Sequence, residues 1–246
     1  MRLAVLTDIH ANATALDAVL ADVAARGADR IAVLGDIVGY GPDPGACIDR
    51  VADLVGQGAL CVQGNHDAAI ATQDPTLGGL ARVCIDWTRD RLSAVQTAFL
   101  RDLPMTARLD DVLLVHASAN DPEEWTYVTS DTRAIGSFRA CDARLILCGH
   151  VHRPILISCD HAGAVRETQA PLNAPIPLLR SRRWLAVVGA VGQPRDGSPM
   201  AGWALYDGAA GTLTFRRVPY DVAETVRRLR QTDLPEALAL RLQKGV

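Results

Sequence analysis

Strand-like and helix-like patterns of apolar residues alternate along the first sixty positions of the chain. Short apolar runs of strand length are separated by segments in which apolar residues recur at helical spacing. The predicted elements are strand 2–7, helix 11–26, strand 30–34, a helix that begins at Asp43-Pro44, and strand 59–62. Because a β-α-β-α-β order favours a parallel sheet covered by helices, this part of the chain predicts an α/β fold.

The pattern changes along the rest of the chain. Residues 76–103 are helical in pattern, whereas short strands and turns dominate after residue 154. The other predicted elements are a hairpin 107–115 around Asp110-Asp111, helix 130–139, strands 144–148, 155–159, 165–170, 184–188, 203–206 and 213–218, a helix capped by Asp221, and a short helix that begins at Pro235. No Gly/Ser-rich or Pro-rich linker divides the chain, so residues 1–246 predict a single domain.

The composition of the chain narrows the classes of molecule that the protein is expected to bind. The 246 residues are 49% hydrophobic, so a sizeable core is feasible and disorder is not expected. The net charge of −3 argues against a nucleic-acid partner, because proteins that track a phosphate backbone usually present a basic face. No apolar run approaches the roughly 20 residues that a membrane span needs, and no membrane partner is expected.

Six cysteines occur in the chain, a number that could form a disulfide set. There is no Cys-x-x-Cys pair, however, and the first apolar run ends at Asp8 and His10, too early for an export signal. We therefore expect reduced thiols and a cytoplasmic protein.

Five of the six histidines follow strand-like runs directly, in company with acidic residues and an asparagine. The segments are Asp8-Ile-His10, Gly35-Asp36, Gly64-Asn65-His66-Asp67, His116 and Gly149-His150-Val-His152. In open α/β sheets the ligand side lies beyond the carboxyl ends of the strands, so these side chains are expected to meet. Residues i and i+2 of an extended segment point the same way, which predicts that Asp8 and His10 converge, as do His150 and His152.

Taken singly, each of these segments is weak evidence, since a lone buried histidine is more often a satisfied core residue than a ligand. Together, so many polar side chains would be costly to bury unless they shared a metal site. Imidazoles, carboxylates and an amide suit Mn, Fe, Zn, Co or Ni better than Ca or Mg. The candidates outnumber the ligands of one tetrahedral ion, which favours a two-metal site of the kind found in hydrolytic phosphatases and nucleases.

As a set, the five segments resemble the calcineurin-like metallophosphoesterase superfamily, with all of its motifs in order between residues 8 and 152. The strings Gly-Asp-Ile-Val-Gly-Tyr-Gly-Pro at 35–42 and Gly-Gln-Pro-Arg-Asp at 192–196 are similar to a small prokaryotic branch of phosphodiesterases and diadenosine tetraphosphatase-like proteins. The resemblance implies two mixed β-sheets packed face to face and flanked by helices, in a four-layer αββα sandwich.

The resemblance also implies roles for individual residues. One metal ion would be held by Asp8, His10 and His152, the other by Asn65, His116 and His150, with Asp36 bridging the two. His66 would be the catalytic histidine and no ligand. The implied reaction is hydrolysis of a small phosphoester by a metal-activated hydroxide, with two divalent ions as cofactors and Mn²⁺ favoured for activity.

The chain departs from the protein-phosphatase members at two positions after its Gly-Asp motif. Those members have an aspartate that orients the catalytic histidine and then an arginine that binds phosphate, whereas this chain has Gly39 and Tyr40. Tyr40 is itself a candidate substrate contact. Arg195 is a candidate for the phosphate contact; the alternative is an arginine of an ordinary tight turn. Neither the residue that orients His66 nor the oligomeric state follows from the sequence.

A nucleotide-like substrate is suggested by two aromatic residues in a chain that is only 4% aromatic. Trp125 and Tyr127 follow His116 in a loop that would flank the site, where a base could stack on them. The alternative is that both rings pack this loop onto the core. Two other functions on the same fold compete with the enzyme: a metal-binding scaffold, disfavoured because the ligands and His66 are intact, and a DNA nuclease, disfavoured by the acidic charge.

Overall fold

The computed structural model describes residues 1–72 and 78–246, and its strands lie in two sheets. The strands are β1 (Arg2–Leu6), β2 (Arg30–Val33), β3 (Leu60–Cys61), β4 (Thr106–Leu109), β5 (Val112–Val115), β6 (Leu145–Cys148), β7 (Ile155–Cys159), β8 (Val165–Thr168), β9 (Ile176–Pro177), β10 (Arg183–Val187), β11 (Ala201–Asp207) and β12 (Thr212–Val218). The first sheet has the order β3-β2-β1-β11-β12-β9, and the second has the order β4-β5-β6-β10-β7-β8.

Each sheet combines parallel and antiparallel pairs. Strands β1, β2 and β3 are parallel in the first sheet, and β5, β6 and β10 are parallel in the second. The remaining neighbours are antiparallel. The parallel strands of each sheet therefore end at one edge, and the loops that follow them carry the polar segments singled out above.

Apolar side chains fill the space between the sheets and cover both outer faces. On β1, Leu3 and Val5 pack between the sheets, whereas Ala4 and Leu6 face the helices outside, because successive side chains of a strand point to opposite faces. A strand covered on both faces needs apolar residues at every position, which explains the unbroken apolar run at the start of the chain. The expected fold, two packed mixed sheets flanked by helices, is confirmed.

The helices lie outside the two sheets. They are α1 (Ala13–Ala25), α2 (Pro44–Gly56), α3 (Asn65–Thr72), α4 (Gly79–Arg89), α5 (Ala94–Arg101), α6 (Asp131–Ala140), α7 (Val222–Leu229) and α8 (Glu236–Lys244), with a 3₁₀ turn at Pro122–Glu124. Helix α6 packs on the outer face of the second sheet, and α1 packs on the first. Within the described ranges, no helix is both long enough and apolar enough to cross a bilayer.

The predicted helical region 76–103 differs from the structure, and its first two residues lie outside the described ones. The rest forms two helices, α4 and α5, with a break at residues 90–93. Ser93 starts α5 with a capping box, in which its hydroxyl accepts from the Gln96 N–H at 3.2 Å and the Gln96 amide oxygen accepts from the Ser93 N–H at 3.1 Å. This reciprocal pair provides a new helix start that the apolar spacing does not reveal.

Three short elements were not predicted, namely α3, β9 and the 3₁₀ turn Pro122–Glu124. Helix α3 has almost no amphipathic pattern because it begins inside the Asn65-His66-Asp67 segment, whose polar residues are buried or half-buried at the site. The other elements lie within two residues of their predicted bounds. Asp221 caps α7 as expected, accepting from the Glu224 N–H at 2.9 Å.

Candidate metal centre

Loops that follow five strands meet in the seam between the two sheets. Asp8 and His10 follow β1, Asp36 follows β2, Asn65 and His66 follow β3, His116 follows β5, and His150 and His152 follow β6. The carboxylates and imidazoles among them are buried, and Asn65 is half-buried. The structure therefore brings together all eight residues that the sequence singled out as ligands or catalyst.

Four of these residues form the first group of potential ligands, Asp8, His10, Asp36 and His152. One donor atom from each lies within 4.8 Å of the others. The Nε2 atoms of His10 and His152 are 3.2 Å apart, and the His152 Nε2 atom is 3.3 Å from Asp8 Oδ1. Such a set of two imidazoles and two carboxylates could hold a divalent transition metal.

The second group consists of Asp36, His116 and His150, whose donor atoms also lie within 4.8 Å of one another. His116 Nε2 is 3.1 Å from His150 Nδ1 and 3.4 Å from Asp36 Oδ2. Asn65 Oδ1 lies 3.2 Å from the same His116 nitrogen. Asp36 belongs to both groups, so its carboxylate lies between two places where a cation would fit.

The hydrogen bonds of the histidines decide which nitrogens face the centre of the first group. His10 Nδ1 donates to the Val38 carbonyl at 3.0 Å, and His152 Nδ1 donates to the Gln193 carbonyl at 2.6 Å. Because a carbonyl only accepts, each Nδ1 carries the proton and each Nε2 presents a lone pair. Two lone pairs at 3.2 Å repel each other, and a cation between them removes that repulsion.

Asp8 adds a second indication of a bound cation. Its Oδ1 atom is buried and has no hydrogen-bond partner among the residues that the structure describes. Its Oδ2 atom accepts from the Thr7 hydroxyl at 2.9 Å and from the His150 N–H at 3.0 Å. These two bonds orient the carboxylate so that its free Oδ1 atom faces His152 Nε2. A cation bound between these two atoms would satisfy both, so the donor set fits a metal ion.

Burial and neighbouring charges set the protonation of the imidazoles. Burial lowers the pKa of His10 and of His152 well below the ordinary range. Burial, with the nearby His116, lowers the pKa of His150 to about 3. Burial also works against the charged form of His116, but Asp36 overrides it and raises the His116 pKa to about 9. Three imidazoles are thus neutral at pH 7, which is the form that binds metals.

The carboxylates show that positive charge is favoured at this place. Burial alone would raise the pKa of Asp36, but His116 and His66 hold it well below its usual range. Burial, together with the Asp36 charge, raises the pKa of Asp8 to about 6. The proton that His116 retains is the positive charge that neutralises Asp36, and a metal ion bound there would displace it.

The backbone at the centre is left-handed, which contradicts the expected extended geometry of Asp8-x-His10 and His150-x-His152. Five of the potential ligands have positive φ: Asp8 (53°), His10 (46°), Asp36 (52°), His150 (68°) and His152 (63°). A γ-turn at His150, closed by the Val151 N–H and the Gly149 carbonyl at 2.8 Å, accounts for one of them. The pairs still converge, but through tight turns that cost of order 1–3 kcal/mol per non-glycine residue.

Close approaches between neighbouring loops explain all three glycines in these segments, and a Cβ atom on Gly35 would collide with the backbone nitrogen of Gly64. A Cβ atom on Gly64 would collide with the backbone nitrogen of Asp36, and one on Gly149 would collide with the Thr7 hydroxyl. Only Gly35 has a positive φ, +85°. Gly35 therefore meets two needs, a left-handed backbone and space for the neighbouring loop, whereas Gly64 and Gly149 provide space alone.

Asp67 braces the centre, although the sequence predicts no role for it. Its buried carboxylate accepts from the Ile37 N–H and from the Gly64 N–H, both at 3.0 Å. It thereby ties the loop that carries Asp36 to the loop that carries His66. Burial and the Asp36 charge raise the pKa of Asp67 to about 7. The only signal in the sequence is its place directly after His66.

His66 lies beside the two groups and belongs to neither. Its N–H donates to Asp36 Oδ1 at 2.9 Å, and its ring packs against Tyr40 at 4.6 Å and His10 at 4.9 Å between centroids. Its Nδ1 atom is buried and has no hydrogen-bond partner in the described part of the chain. A Cβ on Gly39 would collide with that atom, so the position of the missing aspartate has no room for a side chain.

Four further residues border the centre, and all of them are predicted substrate contacts. Tyr127 stacks on His150 at 3.9 Å and 24° and is 50% exposed, and Trp125 meets His116 edge-on at 5.9 Å. The Arg195 guanidinium lies over the Tyr40 ring at 5.8 Å. The two aromatic residues of the 118–128 loop therefore contact the histidines of the second group.

Comparison with known proteins gives a family for this geometry. The sequence pattern of the calcineurin-like phosphoesterase superfamily domain matches residues 1–209. An uncharacterised protein of Methanocaldococcus jannaschii is 32% identical over 249 residues, which cover 99% of this chain and 98% of that protein. A metallophosphoesterase from Sphaerobacter thermophilus is 37% identical, with a TM-score of 0.89 and coverage of 100% of this chain and 99% of that one.

A more distant structure shares the fold alone. It is a protein proposed to be a diadenosine tetraphosphatase, 18% identical, with a TM-score of 0.55 and coverage of 89% of this chain and 94% of that one.

Proposed function

Because the chain belongs to the calcineurin-like phosphoesterase superfamily, we propose that it hydrolyses a small phosphoester with two divalent metal ions. The observation that carries the proposal is the pair of donor groups that share the Asp36 carboxylate. Two cation places with a common bridging ligand are what a two-metal hydrolase requires. The facing lone pairs of His10 and His152 support a metal ion over a purely structural hydrogen-bond network.

In this proposal Asp8, His10 and His152 hold one ion, Asn65, His116 and His150 hold the other, and Asp36 bridges them. The mixed donor set suits Mn, Fe, Zn, Co or Ni, and we propose Mn²⁺ as an activating ion. Bound here, the two ions would polarise the phosphoryl oxygens and lower the pKa of a water molecule toward neutrality. The protein residues keep the site pre-organised: Asp67 and the glycine contacts fix the loops before substrate arrives.

His66 is proposed to act on the leaving oxygen, by giving it a proton or a hydrogen bond. Support comes from its place beside both groups and from its buried, unpartnered Nδ1, which leaves Nε2 as the nitrogen toward substrate. Burial lowers the pKa of His66, and the charge of Asp36 opposes this effect. Packing against Tyr40 and His10 replaces the orienting carboxylate of the protein phosphatases.

Arg195 is proposed to bind the substrate phosphate. Burial is the main cause of the lowered pKa of His10, His66, His150 and His152, and the positive charge of Arg195 adds to each shift. It also opposes the burial that raises the pKa of Tyr40 and of Tyr127. A planar guanidinium offers a two-pronged contact to phosphate, and this one would replace the arginine that is absent after the Gly-Asp motif.

Metal reconstitution tests the proposed function. Protein stripped with a chelator should lose hydrolysis of a nitrophenyl phosphoester and regain it with Mn²⁺, because the activated water depends on the ions. Elemental analysis of the reconstituted protein should give two ions per chain. Full activity in the stripped protein would refute metal catalysis, whereas recovery with one ion per chain would refute the bridged pair alone.

A nucleotide-like substrate is proposed because Tyr127 is half-exposed beside His150, where its ring could stack on a base. Each base stacked on an aromatic ring gains about 1–3 kcal/mol. Tyr127→Ala should therefore lower kcat/KM for nucleotide esters about tenfold and leave a non-nucleotide ester within about twofold. Trp125→Ala is the companion variant. An equal fall for both substrates would show that the rings only pack the loop.

A further inference from the structure

Arg217 near the end of β12 occupies a strand position that alternation assigns to the core. Leu213 and Phe215 point into the apolar layer between the sheets, and Arg217 follows them on the same face. Its side chain is only 3% exposed. A buried guanidinium is costly unless it is paired, so the groups that it meets indicate what it is for.

The guanidinium of Arg217 reaches the loop 192–200, which carries the Gly-Gln-Pro-Arg-Asp segment. It forms an ion pair with Asp196, and its Nη1 donates to the Met200 carbonyl at 3.0 Å. Two glycines leave room for it, since a Cβ on Gly202 would lie 2.8 Å from Nη1 and one on Gly189 would lie 3.4 Å from Nη2. The side chain therefore connects the interior of the sandwich to this loop.

Two residues of the same loop, Gln193 and Arg195, contact the metal centre. The Gln193 carbonyl accepts from His152 Nδ1, and the Gln193 amide oxygen accepts from Arg195 Nη2 at 2.8 Å. The Arg195 N–H donates to the His152 carbonyl at 3.1 Å. Arg195, the proposed phosphate contact, thus lies on the loop that Arg217 binds through Asp196 and the Met200 carbonyl.

We propose that Arg217 is a positioning residue that keeps Arg195 available for phosphate by neutralising Asp196 and anchoring its loop. Asp196 is the immediate neighbour of Arg195, so an unpaired Asp196 carboxylate would compete with substrate phosphate for the Arg195 guanidinium. The ion pair with Arg217 neutralises the Asp196 carboxylate, which then no longer competes for Arg195. The inference rests on the proposed function, because it assigns Arg217 a role only through the phosphate contact of Arg195.

The test compares Arg217→Met with Arg216→Met in the metal-reconstituted protein. Arg216, the adjacent residue, lies on the other face of β12 and pairs with Asp22 at 3.2 Å, so its loss removes a similar ion pair away from the loop. Arg217→Met should raise KM and the inhibition constant of inorganic phosphate about tenfold, the size of one charge-assisted hydrogen bond, with two ions retained. Arg216→Met should leave both constants within about twofold.

A rescue variant separates this role from simple stabilisation. In Arg217→Met, the added change Asp196→Asn removes the competing charge and should bring the inhibition constant of phosphate back toward the wild-type value. If Arg217 only stabilises the fold, the double variant gains nothing, and the proposal is wrong. If Arg217→Met does not fold, Arg217→Gln replaces it, because it keeps a hydrogen-bond donor and loses the charge; an unchanged inhibition constant for phosphate in that variant also overturns the proposal.

A cycle with Arg195→Met distinguishes this inference from the proposed function. Arg195→Met should itself weaken phosphate inhibition, and adding Arg217→Met should cause little further loss, because both act through one contact. Losses that add in full would refute the inference and leave the role of Arg195 intact. An unchanged inhibition constant in Arg195→Met would instead refute the phosphate contact itself.

Discussion

Replacing Asp36 by alanine should remove both metal ions and reduce phosphoesterase activity to background. Its carboxylate is the one group shared by the two sets of donor atoms, and it carries the negative charge that His116 balances. Without it, each set loses a ligand and the pocket retains mainly neutral imidazoles. Elemental analysis and nitrophenyl phosphoester hydrolysis of the variant, after reconstitution with Mn²⁺, measure the two effects.

Asp36→Asn is the matched control for this experiment. The amide oxygen can still accept from the His66 N–H, as the carboxylate does at 2.9 Å, so the loop contact is kept while the charge is lost. We expect Asp36→Asn to lose metal like the alanine variant, because bridging two cations requires an anion. Two ions per chain in Asp36→Ala would contradict the bridging role.

His66→Ala should retain both ions and lose about 10²–10⁴-fold in kcat, the usual contribution of an acid–base group. No atom of His66 belongs to either donor group, and its ring instead lies against Tyr40 and His10. The measurement pairs elemental analysis with steady-state kinetics on esters whose leaving groups differ in pKa. The loss should be smallest for the most acidic leaving group, which needs the least help from a proton donor.

The sixth histidine provides the control. His161 is exposed in the turn between β7 and β8, and His161→Ala should leave both metal content and kcat unchanged. Equal metal loss in His66→Ala and Asp36→Ala would mean that His66 is a ligand. An unchanged kcat in His66→Ala would remove it from the chemistry altogether.

The convergence of the potential ligands could be predicted because it depends on strand order and on where each strand ends. Asp8, Asp36 and His116 follow apolar runs that the sequence displays openly, and parallel strands of a sheet end at the same edge. The aromatic border was also accessible, since Trp125 and Tyr127 stand out in a chain with few aromatic residues. The convergence of the ligands and the aromatic border thus follow from local sequence patterns and from the rule that parallel strands end at one edge of the sheet.

What could not be predicted depends on contacts between distant segments. The Asp67 carboxylate accepts from the N–H groups of Ile37 and Val38, about thirty residues earlier in the chain. No local sequence pattern predicts a hydrogen bond over that separation. The left-handed turns at His10 and His150 were missed for a related reason. The His10 N–H donates to the Asp36 carbonyl at 2.9 Å and the His150 N–H donates to Asp8 Oδ2 at 3.0 Å, and these bonds to neighbouring loops support turns that run against the intrinsic preference of the residues. Arg217 would have looked like one more surface arginine beside Arg216.

The two rings that face each other in the first donor group, His10 and His152, are 142 positions apart in the chain. Because His10 follows a strand of the first sheet and His152 follows a strand of the second, the two rings meet only when the sheets have packed against each other. Before that, the neighbouring loops after β1 and β2 can bring together only Asp8, His10 and Asp36 of the first group. We therefore expect bound metal ions to stabilise mainly the finished molecule, so that metal supply would govern the lifetime of the native protein more than its rate of formation.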